Sequence, residues 1–131
     1  GSFRAIGVLE NVLQEFIDYD SYNHELTMLA DSTQAPVYKA SLTGEYPITD
    51  YALVIKRPGS RNNTMFFFIS THDIGSIETT RLFSNPDFIK KFKETYLRDN
   101  NSRYFTAVFE VKGFSHSSME HRLVYFRNIG N

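Results

Sequence analysis

The sequence predicts an α/β fold: a mixed, partly parallel sheet with a βαβ crossover and helices packed against it, Rossmann-like in arrangement. Three observations carry this expectation. Tyr51 to Lys56 (YALVIK) and Thr64 to Ser70 (TMFFFIS) are strand-sized apolar runs separated by the turn formers Arg57-Pro58-Gly59-Ser60-Arg61-Asn62-Asn63. From Ser76 the pattern becomes helical, and it returns to strict alternation at Tyr104 to Lys112 (YFTAVFEVK). If the strands before and after the helices share one sheet, strand, helices, strand in that order makes a right-handed crossover between parallel strands.

The composition fits one domain spanning residues 1–131. The chain is 41% hydrophobic and 15% aromatic, enough to build a core without covalent staples and too apolar for a disordered chain. Its longest continuous apolar run, Met65 to Ile69, is strand-sized, far short of a membrane span. With no cysteine there is no disulfide framework, thiolate nucleophile or Cys-based metal site, and cytoplasm is the default location. A net charge of -1 lacks the basic field that phosphate backbones demand, so no direct contact with nucleic acid is expected.

Each element has its own local reason. Gly1-Ser2 reads as either a cleavage scar or native sequence. From Arg4 to Asp18 the residues Ile6, Leu9, Val12, Leu13, Phe16 and Ile17 recur at helical steps. A polar stretch from Tyr19 to Glu25 precedes a short strand, Leu26 to Ala30, and Val37 to Leu42 alternates as a half-exposed edge. Tyr51 to Lys56 and Thr64 to Ser70 pair as an antiparallel hairpin. The second of these is apolar on both faces, as a central strand covered on both sides would be. A helix begins near Ser76 and runs to Phe83 or Ser84. Asn85-Pro86-Asp87 opens the next, with an N-cap, a proline at the first helical position and an acid at the positive end of the dipole. Phe88, Ile89, Phe92, Tyr96 and Leu97 form its buried stripe, and His121 to Arg127 is the last strand after a loop from Gly113 to Glu120.

The candidate site is the loop after the predicted central strand. Thr71, His72, Asp73, Gly75, Ser76 and Thr79 stand where open α/β sheets bind ligands, at a strand's carboxyl end and a helix N-terminus. There His72 serves as a base or donor, Asp73 orients it or holds a cation, Gly75 permits close approach, and Ser76 or Thr79 bonds an anion. The simpler alternative is a strand-to-helix turn capped by Ser76, in which Asp73 bonds nearby amides. The chain has neither a three-glycine dinucleotide fingerprint nor GxxxxGK[ST]. Four histidines without ligand spacing predict no metal, and no cofactor is expected.

The order Asp50-Tyr51-Ala52-Leu53-Val54, Lys56, Pro58-Gly59, then Ser70 to Gly75, Asn85-Pro86, Tyr104-Phe105 and Phe109 to Phe114 resembles an uncharacterised α/β domain of bacterial, Bacteroidetes-type proteins. That domain often follows a DNA-binding helix-turn-helix or another effector region. Ala52 stands where the family pattern has Gly, and Ser60 where it has a second Pro. The resemblance implies a domain excised from a longer chain, lacking a first strand before Phe3 and so exposing a sheet edge through which a homodimer forms. The expected function is a non-catalytic sensory or interaction module that binds a small molecule or partner protein and reports to an effector, with transcription regulation as the setting. The alternative is a small hydrolase acting on a phosphate- or nucleotide-containing substrate, with His72 as acid or base.

Overall fold

The computed structural model describes residues 17–20, 22–28, 36–43, 47–59, 61, 63–97, 104–114 and 117–130. Its elements are β1 (Ile17–Asp20), β2 (Glu25–Met28), β3 (Val37–Lys39), β4 (Ile48–Pro58), β5 (Thr64–Ser70), α1 (Asp73–Leu82), α2 (Pro86–Phe92) with a π-helical turn (Lys93–Leu97), β6 (Tyr104–Phe114) and β7 (Ser117–Gly130). They form a three-stranded sheet, β1-β2-β3, and a four-stranded sheet, β5-β4-β6-β7.

Every strand pair in both sheets is antiparallel, which overturns the predicted Rossmann-like, partly parallel architecture. The expected parallel partners β5 and β6 run in the same direction, but β4 lies between them and pairs with both. The β4-β5 hairpin itself has the predicted antiparallel sense, with Ile55 opposite Phe67. What periodicity does not reveal is the side on which the returning strand docks. β6 takes the free edge of β4, where Val54 meets Ala107 and Leu53 meets Val108. The central strand is therefore β4, with Ala52, Leu53, Val54 and Ile55 all buried, and β5 is an edge.

Alternation along β4 and β6 sorts the core into two clusters. Val54, Phe105, Ala107, Phe109 and Val111 face the helices, meeting Ile74 and Leu82 of α1 and Phe92 of α2. Phe83, just past α1, places its ring 5.3 to 6.3 Å from those of Phe66, Phe68, Phe88, Phe92, Phe105 and Phe109. On the other face Leu53, Ile55, Val108 and Tyr125 pack with Ile17, Leu26 and Met28 of the small sheet. Polar bonds fasten this layer. Tyr38 Oη donates to the Val124 carbonyl at 3.1 Å, and its ring lies 5.3 Å from Tyr51, whose hydroxyl donates to Glu110 Oε2 at 2.9 Å. Burial and then Glu110 push the Tyr51 hydroxyl up to about 12, so it remains a donor at neutral pH. Reciprocal bonds of 2.8 Å between Ser41 and Thr49 join the two sheets at one corner.

The predicted helix over 4–18 and the predicted first strand lie outside the described residues except at 17–18, where the chain is already strand β1. Ile17 pairs with Met28 in a hairpin whose turn is local chemistry. The Asp20 carboxylate accepts from the Tyr22 and Asn23 amides and the Asn23 side chain, and His24 takes a left-handed φ of 57°. Those bonds, the Asn23 side chain first, hold the Asp20 carboxyl below its usual range. α2 begins as predicted: Asn85 Oδ1 accepts from the Asp87 and Phe88 amides, with Pro86 at the first position. None of the described helices is long and apolar enough to cross a membrane.

Burial separates the two strands quantitatively. Phe105 is 2% exposed within the helix-side cluster, and truncation to Ala is expected to cost about 3–5 kcal/mol in urea unfolding. Phe67, half-buried on an edge strand, should lose only about 1–2 kcal/mol on the same change.

Candidate functional site

The predicted loop forms the joint between β5 and α1, and Asp50 of β4 reaches into it. Asp50 is fully buried. Its Oδ2 accepts from the His72 amide at 3.1 Å and the Gly75 amide at 3.0 Å, and its Oδ1 from the Tyr51 amide at 2.9 Å. The His72 and Gly75 amides are N–H groups of a helix N-terminus, which an exogenous anion would use. A carboxylate of the chain occupies them instead. Gly75 is required by this contact, since a Cβ there would run into Asp50 Oδ2 and Ser70 Cβ.

α1 consequently starts at Asp73, three residues before the expected Ser76. His72 is the N-cap, its Nδ1 accepting from the Ile74 amide at 3.3 Å and lying 2.7 Å from Asp73 Oδ1. Nδ1 makes one of these contacts at a time, since it meets the amide with a lone pair and the carboxylate with an N–H. Ser76 hydrogen-bonds Ser70 Oγ at 2.5 Å, and the Ser70 hydroxyl also lies 2.6 Å from the His72 carbonyl. Thr79 is buried and donates to the Gly75 carbonyl at 2.8 Å. Thr71 is half-buried in the bend before His72. The structure thus brings His72 and Asp73 together near the surface, while Gly75 and Thr79 face inward.

A second cluster lies one turn further along α1, against the β6-β7 hairpin. Glu78 is 3% exposed, between Ile74 and Leu82 in the helix's buried stripe. Its Oε1 accepts from Arg81 Nε at 2.5 Å and forms an ion pair with Nη2 of the same guanidinium, and its Oε2 accepts from Ser118 Oγ at 2.7 Å, with His121 Nδ1 at 3.7 Å. A buried carboxylate is tolerable when its charge and lone pairs are matched in this way. The bonds pin Arg81, whose side chain remains 58% exposed, at the rim of an open groove of about 650 Å³. The groove is lined by Ile77, Glu78, Arg81, Ser117, Ser118, Glu120 and His121. Gly113 shapes the hairpin end, where a Cβ would meet the Ser117 carbonyl.

The groove escapes a motif search because its residues come from two distant segments. One signal was readable: Glu78 interrupts an i, i+4, i+8 apolar stripe formed with Ile74 and Leu82. Among the described residues no three His, Cys, Asp or Glu side chains converge as metal ligands. No protein-family model, curated protein or solved structure matches the chain.

Asp50 makes stability pH-dependent. Burial raises its pKa from 3.8 to about 6, and the amides of Gly75, His72 and Tyr51 oppose that shift without cancelling it. The folded state therefore binds this proton more tightly than the unfolded chain. The stabilisation is complete below pH 3.8 and is lost as pH rises through about 6. Between pH 7 and pH 5 this group should add on the order of 1–2 kcal/mol to the unfolding free energy. Denaturant titrations at both pH values should show the gain in the wild type and its loss in Asp50→Asn. Gly75→Ala should destabilise at either pH by about 1–3 kcal/mol, because the new methyl displaces the carboxylate.

Proposed function

We propose that this domain is a non-catalytic interaction module that binds a short segment of a partner protein in the groove between α1 and the β6-β7 hairpin, reporting it to an effector region as the family resemblance implies. The observation that carries this reading is the Glu78-Arg81 pair. The carboxylate is buried and engaged on both oxygens, so it serves as an anchor for Arg81. It holds a charged, exposed guanidinium beside Ile77, which is 49% exposed. An apolar side chain against Ile77 and an acidic group on Arg81's remaining N–H bonds fit that pairing. The groove is open to solvent, whereas small molecules are usually held in enclosing clefts.

A phosphate-directed hydrolase has one observation in its favour, the 2.7 Å approach of Asp73 to His72. The electrostatics weigh against it. A phosphate arriving at this loop would meet Asp73 and find the α1 amides already taken by Asp50.

A displayed peptide library panned on the wild-type chain is expected to enrich sequences with an apolar residue close to Asp or Glu. Arg81→Ala should weaken the selected peptides at least about tenfold, and Ile77→Glu should abolish them. Enrichment unchanged by either substitution, or phosphate-ester turnover lost in His72→Ala, would overturn the reading.

A further inference from the structure

We propose that the chain forms a two-fold homodimer by antiparallel pairing of β5 with β5 of a second copy, fusing two four-stranded sheets into one of eight strands. Among the described residues β5 pairs only with β4, and no described strand lies against its outer edge. An edge of this kind is normally protected by charge, proline or irregularity. The opposite edge strand follows that rule: β7 carries Glu120, His121, Arg122 and Arg127, and its pairing with β6 shifts register at three places. β5 has none of these devices. It reads Thr-Met-Phe-Phe-Phe-Ile-Ser, uncharged and regularly paired, and none of its seven residues is buried. Phe66 is 44% exposed, with its ring stacked on Phe68 at 5.9 Å.

The strand is complementary to itself. Antiparallel pairing about Phe67 sets Phe66 opposite the second copy's Phe68, Met65 opposite Ile69 and Thr64 opposite Ser70. Phe66 and Phe68, both near Phe83, would continue the helix-side aromatic cluster across the two-fold axis. The flanking charges match in the same register. Arg61, exposed just before the start of β5, and Asp73, exposed just past its end and 2.7 Å from His72 Nδ1, flank opposite ends of the strand, so antiparallel pairing brings the Arg61 end of one copy to the Asp73 end of the other. With two such pairs per dimer the register has opposite charges at both ends. An apolar sequence suited to a central strand, placed at an edge in one copy, becomes central in two.

The test needs no ligand: the mass of the 131-residue chain is measured by light scattering and analytical ultracentrifugation from about 1 to about 500 µM. The wild type is expected to pass from one chain to two within that range. Phe66→Lys should weaken the dimer at least about tenfold. Arg61→Glu and Asp73→Lys, both at exposed positions, should each weaken it about three- to tenfold, and the double variant Arg61→Glu with Asp73→Lys should return to within about twofold of the wild type. A wild type that stays at one chain throughout overturns the proposal and leaves the edge to a strand from another protein. A dimer unaffected by all three single substitutions also overturns it, by placing the interface elsewhere. Ile77 and Arg81 play no part in these measurements, so this result and that of the peptide selection are separable.

Discussion

The carboxylate of Asp50 is the joint on which the molecule is built. It extends from the central strand into the first turn of α1 and takes the amides of His72 and Gly75. That contact sets where the helix begins and how closely it approaches the sheet. From it follow the glycine at 75, the inward position of Thr79 and the alignment of Ile74 and Leu82 over Val54 and Phe109. A helix N-terminus carries partial positive charge and unsatisfied donors, so a buried acid is electrostatically matched to it, although removal from water still disfavours its ionised form.

α1 therefore has two acidic anchors with different consequences. Asp50 holds its N-terminus from below and removes the anion-binding capacity such a terminus offers. Glu78, one turn further on, locks the helix to β7 through Ser118 and projects Arg81 outward. The first anchor serves the fold alone. The second leaves a cation held by a buried partner next to an exposed isoleucine.

The two edges of the large sheet show the same division. β7 is long, charged and bulged, and ends the sheet in a way that discourages further pairing. β5 is short, regular and apolar. Its five large side chains obtain only partial cover from Phe83 on one face and the small sheet on the other. A hydrophobic strand that its own chain leaves half covered has a reason to seek a second surface.

Local chemistry was legible in the sequence. The bounds of β5, the Asn85-Pro86 start of α2 and the alternation of Phe105, Ala107, Phe109 and Val111 were read correctly because each depends on residues adjacent in the chain. The same reading took β5 for a central strand, since a run apolar on both faces records how much cover it wants and not which neighbour supplies it. It put the cap of α1 at Ser76 because the true constraint, Asp50, lies more than twenty residues earlier on another strand. Side-chain clustering divides the same way: His72 and Asp73 meet as sequence neighbours, whereas Glu78, Arg81, Ser118 and His121 share a groove only through the packing of α1 on β7. Propensity, turns and the Asn85 cap are short-range and were determined by the sequence itself. Strand order, the antiparallel sense of the whole sheet and the groove required the tertiary structure, because they depend on which apolar surfaces meet once the chain has closed on itself.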